Sequence, residues 1–359
     1  MLRRAILARM PEPDHTGDEA ATVLDVPLAD IEAAQIRLAG LVHRTPLLTS
    51  ATAGAWAEAA TGARPWDGLL FMKAEHLQRT GSFKARGMTN RIATLDPEAR
   101  GRGAITLSAG NAGQAYAWAG REAGVPITVV MPEGAVQAKV DACRGYGARV
   151  ILHGTHVGET FAEMGRIRDA EGLTFVHPFD DPAVMAGHGT AGLELVDDLP
   201  DVDVVVVGVG GGGLIGGIAA AVKARRPTAR IYGVEPTGSD AVTQALASGA
   251  VLTIQPRSVA DGLNAPFAGP WTLSMAQRYL DDIVLIDDGV ILAAMRFSLE
   301  RMKQVLEPAG AAALGAVLSG AIPYRGGERV AVVLSGGNVV AGRLGELLAG
   351  ATRLPGEAV

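Results

Sequence analysis

The sequence predicts an α/β protein whose sheets are parallel or mostly parallel and covered by helices. Three observations carry that expectation. Residues 104–107, 127–131 and 149–152 are short apolar runs separated by helix-like stretches at 115–123 and 135–145, and strands alternating with helices make parallel sheets with both faces buried. A second unit follows at 204–234, where Val204, Val205, Val206 and Val207 enter a glycine-rich turn, a helix ending near Arg225 or Arg226, and a strand at 231–234. At 359 residues, 48% of them hydrophobic, the chain can form two compact domains that share an extensive core.

Composition narrows the function classes. The net charge of -6 argues against a nucleic-acid surface, which needs clustered Lys and Arg. Cys143 is the single cysteine, so no intramolecular disulfide forms. It reads as a small buried hydrophobe, and its isolation fits a reducing compartment such as the cytoplasm. The charged start, with Arg9, Pro11 and Pro13 interrupting any apolar run, predicts neither a signal peptide nor a membrane span.

Taken in order, residues 1–25 mix Pro, Gly, Asp and His and are expected to be a flexible N-terminal segment. Ile31, Ile36, Leu38 and Leu41 suggest an amphipathic helix ending near Gly40. Arg44-Thr45-Pro46-Leu47 should be extended, because the residue before proline avoids the helical region. A buried strand at 69–73 then delivers the chain to Gly81-Ser82-Phe83-Lys84-Ala85-Arg86-Gly87, with a helix expected over 88–95. A lysine in a partly desolvated site has a lowered pKa and can form a Schiff base. By itself the heptamer also fits an ordinary solvated lysine.

Ser108-Ala109-Gly110-Asn111-Ala112 follows the strand at 104–107. A turn of small residues opening a helix offers free N–H groups to an anion such as a carboxylate, unless Ser108 or Asn111 simply caps that helix. His153 and His156 have metal-pair spacing but no clear third ligand, which favours surface or capping roles. His76, His177 and His188 are ambiguous. In the run Gly208-Val209-Gly210-Gly211-Gly212-Gly213-Leu214, glycines allow close backbone approach, and the following helix favours a phosphate. Gly208, Gly210 and Gly213 also match a dinucleotide fingerprint, with Glu235 ending the next strand, but in so glycine-rich a run that match comes cheaply. Finally, Glu307-Pro308 opens an alanine-rich helix, and a strand at 330–334 ends in Ser335-Gly336-Gly337-Asn338. Ser335 there can face a ligand or cap a helix.

Together, Gly-Ser-Phe-Lys, Ser-Ala-Gly-Asn, the four glycines and Ser-Gly-Gly-Asn resemble the pyridoxal phosphate enzymes of the tryptophan synthase β-like fold, fold type II. The likeness runs from about Val26 to about Asn338 and is strongest to the threonine and serine dehydratases (ammonia-lyases) and the related serine racemases. Supporting matches are Arg44-Thr45-Pro46-Leu47, the stretch from His177 to Pro182, Gly187-His188-Gly189-Thr190, Ala260-Asp261-Gly262 and Glu307-Pro308.

The resemblance implies that Lys84 holds pyridoxal 5'-phosphate as a Schiff base, with Phe83 near the ring and Asn111 on the ring 3-hydroxyl. Gly210, Gly211, Gly212, Gly213 and the Leu214 N–H would cradle the phosphate; Ser335 would meet the pyridine nitrogen and Gly262 the other ring face. The substrate carboxylate would sit on Ser108, Ala109, Gly110, Asn111 and Ala112. It further implies a large domain of residues 26–102 and 180–359, a small mobile domain of residues 103–179, no C-terminal regulatory domain, and a homodimer.

Departures from the family pattern refine the expected chemistry. Ala109 replaces the second serine of the racemases, which favours elimination over racemisation. Ala112 replaces a histidine of many threonine dehydratases and leaves the substrate side chain open. Glu235-Pro236 resembles the start of a cation site, but Ala241 stands where a ligand aspartate is expected, so Glu235 is as readily a capped carboxylate, and any monovalent or divalent cation has one named ligand. The leading expectation is a lyase converting a β-hydroxy amino acid such as L-threonine or L-serine to a 2-keto acid and ammonia. The alternatives are a β-replacement or threonine synthase-like transferase, an amino-acid racemase and, remotely, a nicotinamide oxidoreductase.

Overall fold

The computed structural model describes residues 24–358; the expectation for the first residues therefore falls mostly outside the described part of the chain. Two sheets organise it. Strands β1 (Leu47–Ser50), β2 (Leu70–Lys73), β7 (Val204–Gly208), β8 (Arg230–Pro236), β9 (Asp282–Ile286) and β10 (Val330–Val333) form a six-stranded sheet in the order β1-β2-β10-β7-β8-β9. Strands β3 (Ala104–Leu107), β4 (Ile127–Met131), β5 (Arg149–Leu152) and β6 (Thr174–Phe175) form a four-stranded sheet in the order β5-β4-β3-β6. All pairings are parallel except that of the edge strand β1 with β2. The expected mostly parallel α/β architecture is what forms.

Burial explains the strand sequences. All five residues of β7 are buried, because helices cover both faces: one layer includes Asp288–Phe297 and Pro308–Leu318, the other Pro182–Asp198 and Gly213–Arg225. A strand buried on both sides reads as a continuous β-branched run rather than an alternating one.

The helix Pro182–Asp198 holds the site together. Every residue from Val184 to Val196 is buried. On one side Gly187 crosses the helix Lys84–Ala93 so closely that a Cβ would stand 2.7 Å from the Arg86 carbonyl oxygen and the Gly87 Cα. On another side, a Cβ on Gly217 of the helix Gly213–Arg225 would stand 2.1 Å from the Met185 carbonyl oxygen. One buried helix thus spaces the lysine helix from the glycine-loop helix, and contact at backbone distance fixes both crossings.

Sequence periodicity misplaces some boundaries. The first described helix is Leu28–Leu38 and buries Ile31, Ala34 and Leu38, while Ile36 is 78% exposed. The stripe runs i, i+3, i+7 through an alanine, which hydrophobicity alone undervalues. The lysine helix starts at Lys84 rather than Met88, and the helix after the Ser108 turn starts at Asn111 rather than Ala115. In both, a glycine in the first turn lowers local propensity, and tertiary packing against that glycine overrides it.

Candidate active site

The segment before Lys84 leaves β2 through two tight turns, with Thr80 at φ 59° and Gly81 at φ 73°. A side chain at Gly81 would also strike Asn338, whose Oδ1 lies 2.2 Å from the Cβ position. Ser82 then bridges to Gly336, the Phe83 N–H donates to the Ser335 carbonyl at 3.0 Å, and the Gly337 N–H donates to the Gly81 carbonyl at 2.9 Å. The lysine turn is thereby stitched to the end of β10, which brings Lys84 and Ser335 together from distant parts of the chain.

Lys84 is the first residue of its helix, and its Nζ donates to the Pro178 carbonyl at 2.6 Å. Burial pulls the ammonium down to about 7, because a low-dielectric site disfavours the charged form. Beside it, His177 Nδ1 accepts the Phe179 and Asp180 N–H groups at 3.2 and 2.8 Å. Burial, helped by the Lys84 charge, drives that imidazole down to about 3, so it is neutral.

Two residues on, Arg86 is 1% exposed and its guanidinium engages both carboxylate oxygens of Glu75 and of Glu194, with Lys73 donating to Glu194 at 2.6 Å. Two buried cations facing two buried carboxylates leave no net charge behind the lysine.

The glycine loop leaves β7 and enters the helix Gly213–Arg225. A Cβ on Gly211 would lie 2.3 Å from the Phe179 ring, one on Gly213 2.5 Å from the Phe179 carbonyl oxygen, and Gly212 has φ 78°. Thr272 Oγ1 donates to the Gly211 carbonyl at 2.6 Å. Among the described residues, no acceptor takes the N–H groups of Gly211, Gly212, Gly213 or Leu214. Unclaimed donors at the N-terminus of a 13-residue helix make an anion site. A half-buried amine with a lowered pKa and a loop of unclaimed N–H donors on the same scaffold would suit an aldehyde that carries a phosphate.

At the Ser108 turn, Ser108 Oγ accepts the Gly110 N–H at 3.2 Å, while the helix Asn111–Ala123 has no side-chain cap. The cap reading is thus set aside for Asn111, whose Nδ2 donates to Glu307 at 2.6 Å and whose Oδ1 accepts from Asn338 at 2.9 Å. Ala109 and Gly110 are half-buried and Ala112 is buried in the same turn. Burial raises the Glu307 carboxyl to about 7, with Asp261 adding to the shift. Ser335 is 5% exposed, and among the described residues its Oγ makes only a long 3.4 Å contact with the Ala309 carbonyl. Gly262 stands by the same residue, a Cβ there lying 2.9 Å from Ala309 Cβ. Glu307 and Phe179 contribute to the site although sequence reading gave them no role beyond a supporting match.

Glu235 stands apart. Its two oxygens accept the Val242 and Thr243 N–H groups at 2.9 Å each and the Thr243 hydroxyl at 2.7 Å, holding the start of the helix Ala241–Ser248. That carboxylate is committed to a helix terminus, so the dinucleotide reading loses its ribose partner. His156 likewise accepts the Glu159 N–H at the start of the helix Val157–Glu171. Among the described residues, no three His, Cys, Asp or Glu side chains group as metal ligands, and no helix is long and apolar enough to cross a membrane.

The chain is similar to known proteins over most of its length. A family model described as "Pyridoxal-phosphate dependent enzyme" matches residues 38–336. The chain is 41% identical over 315 residues to the L-threonine ammonia-lyase of Thermotoga maritima, covering 88% of this chain and 76% of that protein. It is 37% identical over 323 residues to the L-threo-3-hydroxyaspartate ammonia-lyase of a Pseudomonas species, covering 89% and 98%. Among solved structures, maize serine racemase superposes with a TM-score of 0.83 at 34% identity, covering 91% of this chain and 97% of that one.

Proposed function

Because this chain belongs to the pyridoxal-phosphate-dependent enzyme family, we propose that it is an ammonia-lyase converting a β-hydroxy amino acid, such as L-threonine or L-serine, to a 2-keto acid and ammonia. The observation that carries the reading is Lys84: a half-buried amine, lowered to about 7, in a chain that also holds the unclaimed N–H groups of the glycine loop.

In this reading Lys84 would hold the cofactor, Phe83 and Gly262 would flank its ring, Asn111 would meet the ring hydroxyl and Ser335 the ring nitrogen. Gly210, Gly211, Gly212, Gly213 and Leu214 would hold the phosphate. Bound pyridoxal phosphate supplies a sink for the electron pair left at Cα. The chain's own residues do the rest. The N–H groups of the turn from Ser108 to Ala112 bind the substrate carboxylate and set the Cα–H bond toward Lys84. Once the substrate's amine has replaced it on the cofactor, the freed Lys84 amine, lowered to about 7 and so partly neutral near that pH, would take that proton. The β-hydroxyl then leaves with a proton, so that the lost Cα proton and hydroxyl together make up one water, and addition of a water to the unsaturated amine gives the keto acid and ammonia. Ala109 carries no proton at the opposite face, which favours elimination over racemisation.

The segment 103–179 would close over 26–102 and 180–359 to exclude water. The Lys139–Asp261 ion pair joins these two parts across the crevice. We further propose a homodimer working in the cytoplasm; the single cysteine is in keeping with that compartment.

The test is an absorbance spectrum before and after borohydride, followed by a keto acid assay across L-serine, L-threonine and larger β-hydroxy amino acids. A reducible visible band that maps to Lys84, with keto acid release, is the expected result. A protein that cannot be loaded with pyridoxal phosphate overturns the reading. Replacement products formed with an added thiol, and no keto acid, would make it a transferase.

A further inference from the structure

His188 has no part in the chemistry above, yet it touches the residues on both sides of Lys84. It is 0% exposed. Its ring meets Phe83 edge to face, with centroids 4.7 Å apart and planes at 65°. Its Nδ1 accepts the Gly87 N–H at 3.2 Å.

The lysine helix needs that acceptor. It has no side-chain cap, and its first turn is wound tightly, with the Ala85 N–H on the Ser82 carbonyl at 3.4 Å and the Arg86 N–H on the Phe83 carbonyl at 3.0 Å. Arg86 thus occupies the carbonyl that Gly87 would use in a regular α-helical turn. Gly87 turns to His188 instead, and only a glycine fits, since a Cβ would stand 2.4 Å from His188 Cε1.

Chemistry then fixes the tautomer. A neutral imidazole that accepts at Nδ1 carries its proton at Nε2, and among the described residues that buried Nε2 has no partner. An unpaired buried donor is a cost the fold carries. Protonation would set a second donor against the Gly87 N–H; burial, with the Lys84 and Arg86 charges adding to it, holds His188 well below the usual histidine range.

We propose that His188 is a positioning residue for Lys84, gripping Phe83 by ring contact and Gly87 by a hydrogen bond so that the lysine between them keeps one direction into the crevice. The inference rests on Lys84 carrying the cofactor. It acts through Phe83 and Gly87 and not on substrate.

The experiment compares wild type, H188L and H188N, each loaded with pyridoxal phosphate, by visible circular dichroism and by cofactor affinity. Asparagine keeps an acceptor where Nδ1 stands, and leucine removes it. H188L should bind the cofactor about tenfold or more weakly with an altered dichroism band, and H188N should recover most of the affinity and the native band. An H188L protein that melts earlier but keeps both affinity and band makes His188 merely structural and overturns the proposal, as does equal loss in both variants. Should H188L not fold, selective 15N-histidine spectra of the wild type decide: a neutral Nε2–H form is expected at His188, and an Nδ1–H form refutes the hydrogen bond. Wild type that takes up no cofactor at Lys84 sinks the functional reading and this inference together. Wild type that does, beside an H188L protein with unchanged dichroism, refutes the role of His188 alone.

Discussion

Lys84 Nζ donates to the Pro178 carbonyl oxygen at 2.6 Å, tying the first turn of the lysine helix to the segment that follows β6. A carbonyl accepts from either the ammonium or the neutral amine, so the contact holds the side chain in place through its titration without fixing its charge. What lowers the pKa is burial.

Uptake of pyridoxal phosphate by the apo protein should follow that titration. The neutral amine is the reactive form, so the rate of adduct formation should rise about tenfold between pH 6 and pH 8 and then level off. Stopped-flow absorbance checks this, and a rate still climbing steeply past pH 9 would mean an ordinary lysine. K84A should form no reducible adduct.

Lys84 also links pH to stability. Its folded pKa of about 7 lies below the unfolded 10.5, so between those values the unfolded chain binds more protons and apo stability rises with pH. K84M should therefore stabilise the apo protein most at or below pH 7, with the advantage shrinking toward pH 10 in urea titrations.

Glu307 works with the opposite sign. Its carboxyl is raised from 4.5 to about 7, so its contribution is full below pH 4.5 and is lost as pH climbs through 7. The stability of E307Q relative to wild type should grow across that window, by on the order of 1–3 kcal/mol, and stay flat above it. Urea melts at several pH values measure the difference.

Removing the centre of the buried ion cluster should be severe. R86L leaves Glu75 and Glu194 facing a single lysine out of water, and breaking such a pair costs about 3–5 kcal/mol. Chemical unfolding of the purified variant reads this directly.

The glycine loop should respond through cofactor affinity. In G212A the new Cβ would meet Thr272 Cγ2 at 2.1 Å, at φ 78°. Turning the loop to relieve this misdirects its N–H groups, so affinity should fall at least about tenfold. Fluorescence titration of the apo variant gives the value.

How much of this was legible depends on how local each cause is. The valine run of β7, the glycine loop and the small-residue turn at Ser108 announce themselves because a few adjacent residues carry the physics. The lysine, glycine-loop and serine motifs could be listed from sequence, but their assembly needed the stitch between Ser82 and Gly336. Glu307 acquires its role from Asn111, 196 positions away, and no spacing rule reaches that far. His188 is similar: its partner is the spare N–H of Gly87, which exists only because the lysine helix opens with a tight turn. Ile36 failed for a simpler reason, since an alanine at position 34 took the buried place expected for a larger side chain.

The helix Pro182–Asp198 has an evolutionary consequence. Its close crossings at Gly187 and Gly217 space the lysine helix from the glycine-loop helix, and neither crossing has room for an added methyl. The turn at 108–112 hangs from the other sheet, outside that interval. On the proposed function, descendants of this chain can exchange the half-buried Ala109 and try new substrates while the inherited gauge stays fixed. On the same reading, drift in the gauge itself would forfeit the cofactor before any new substrate could be sampled.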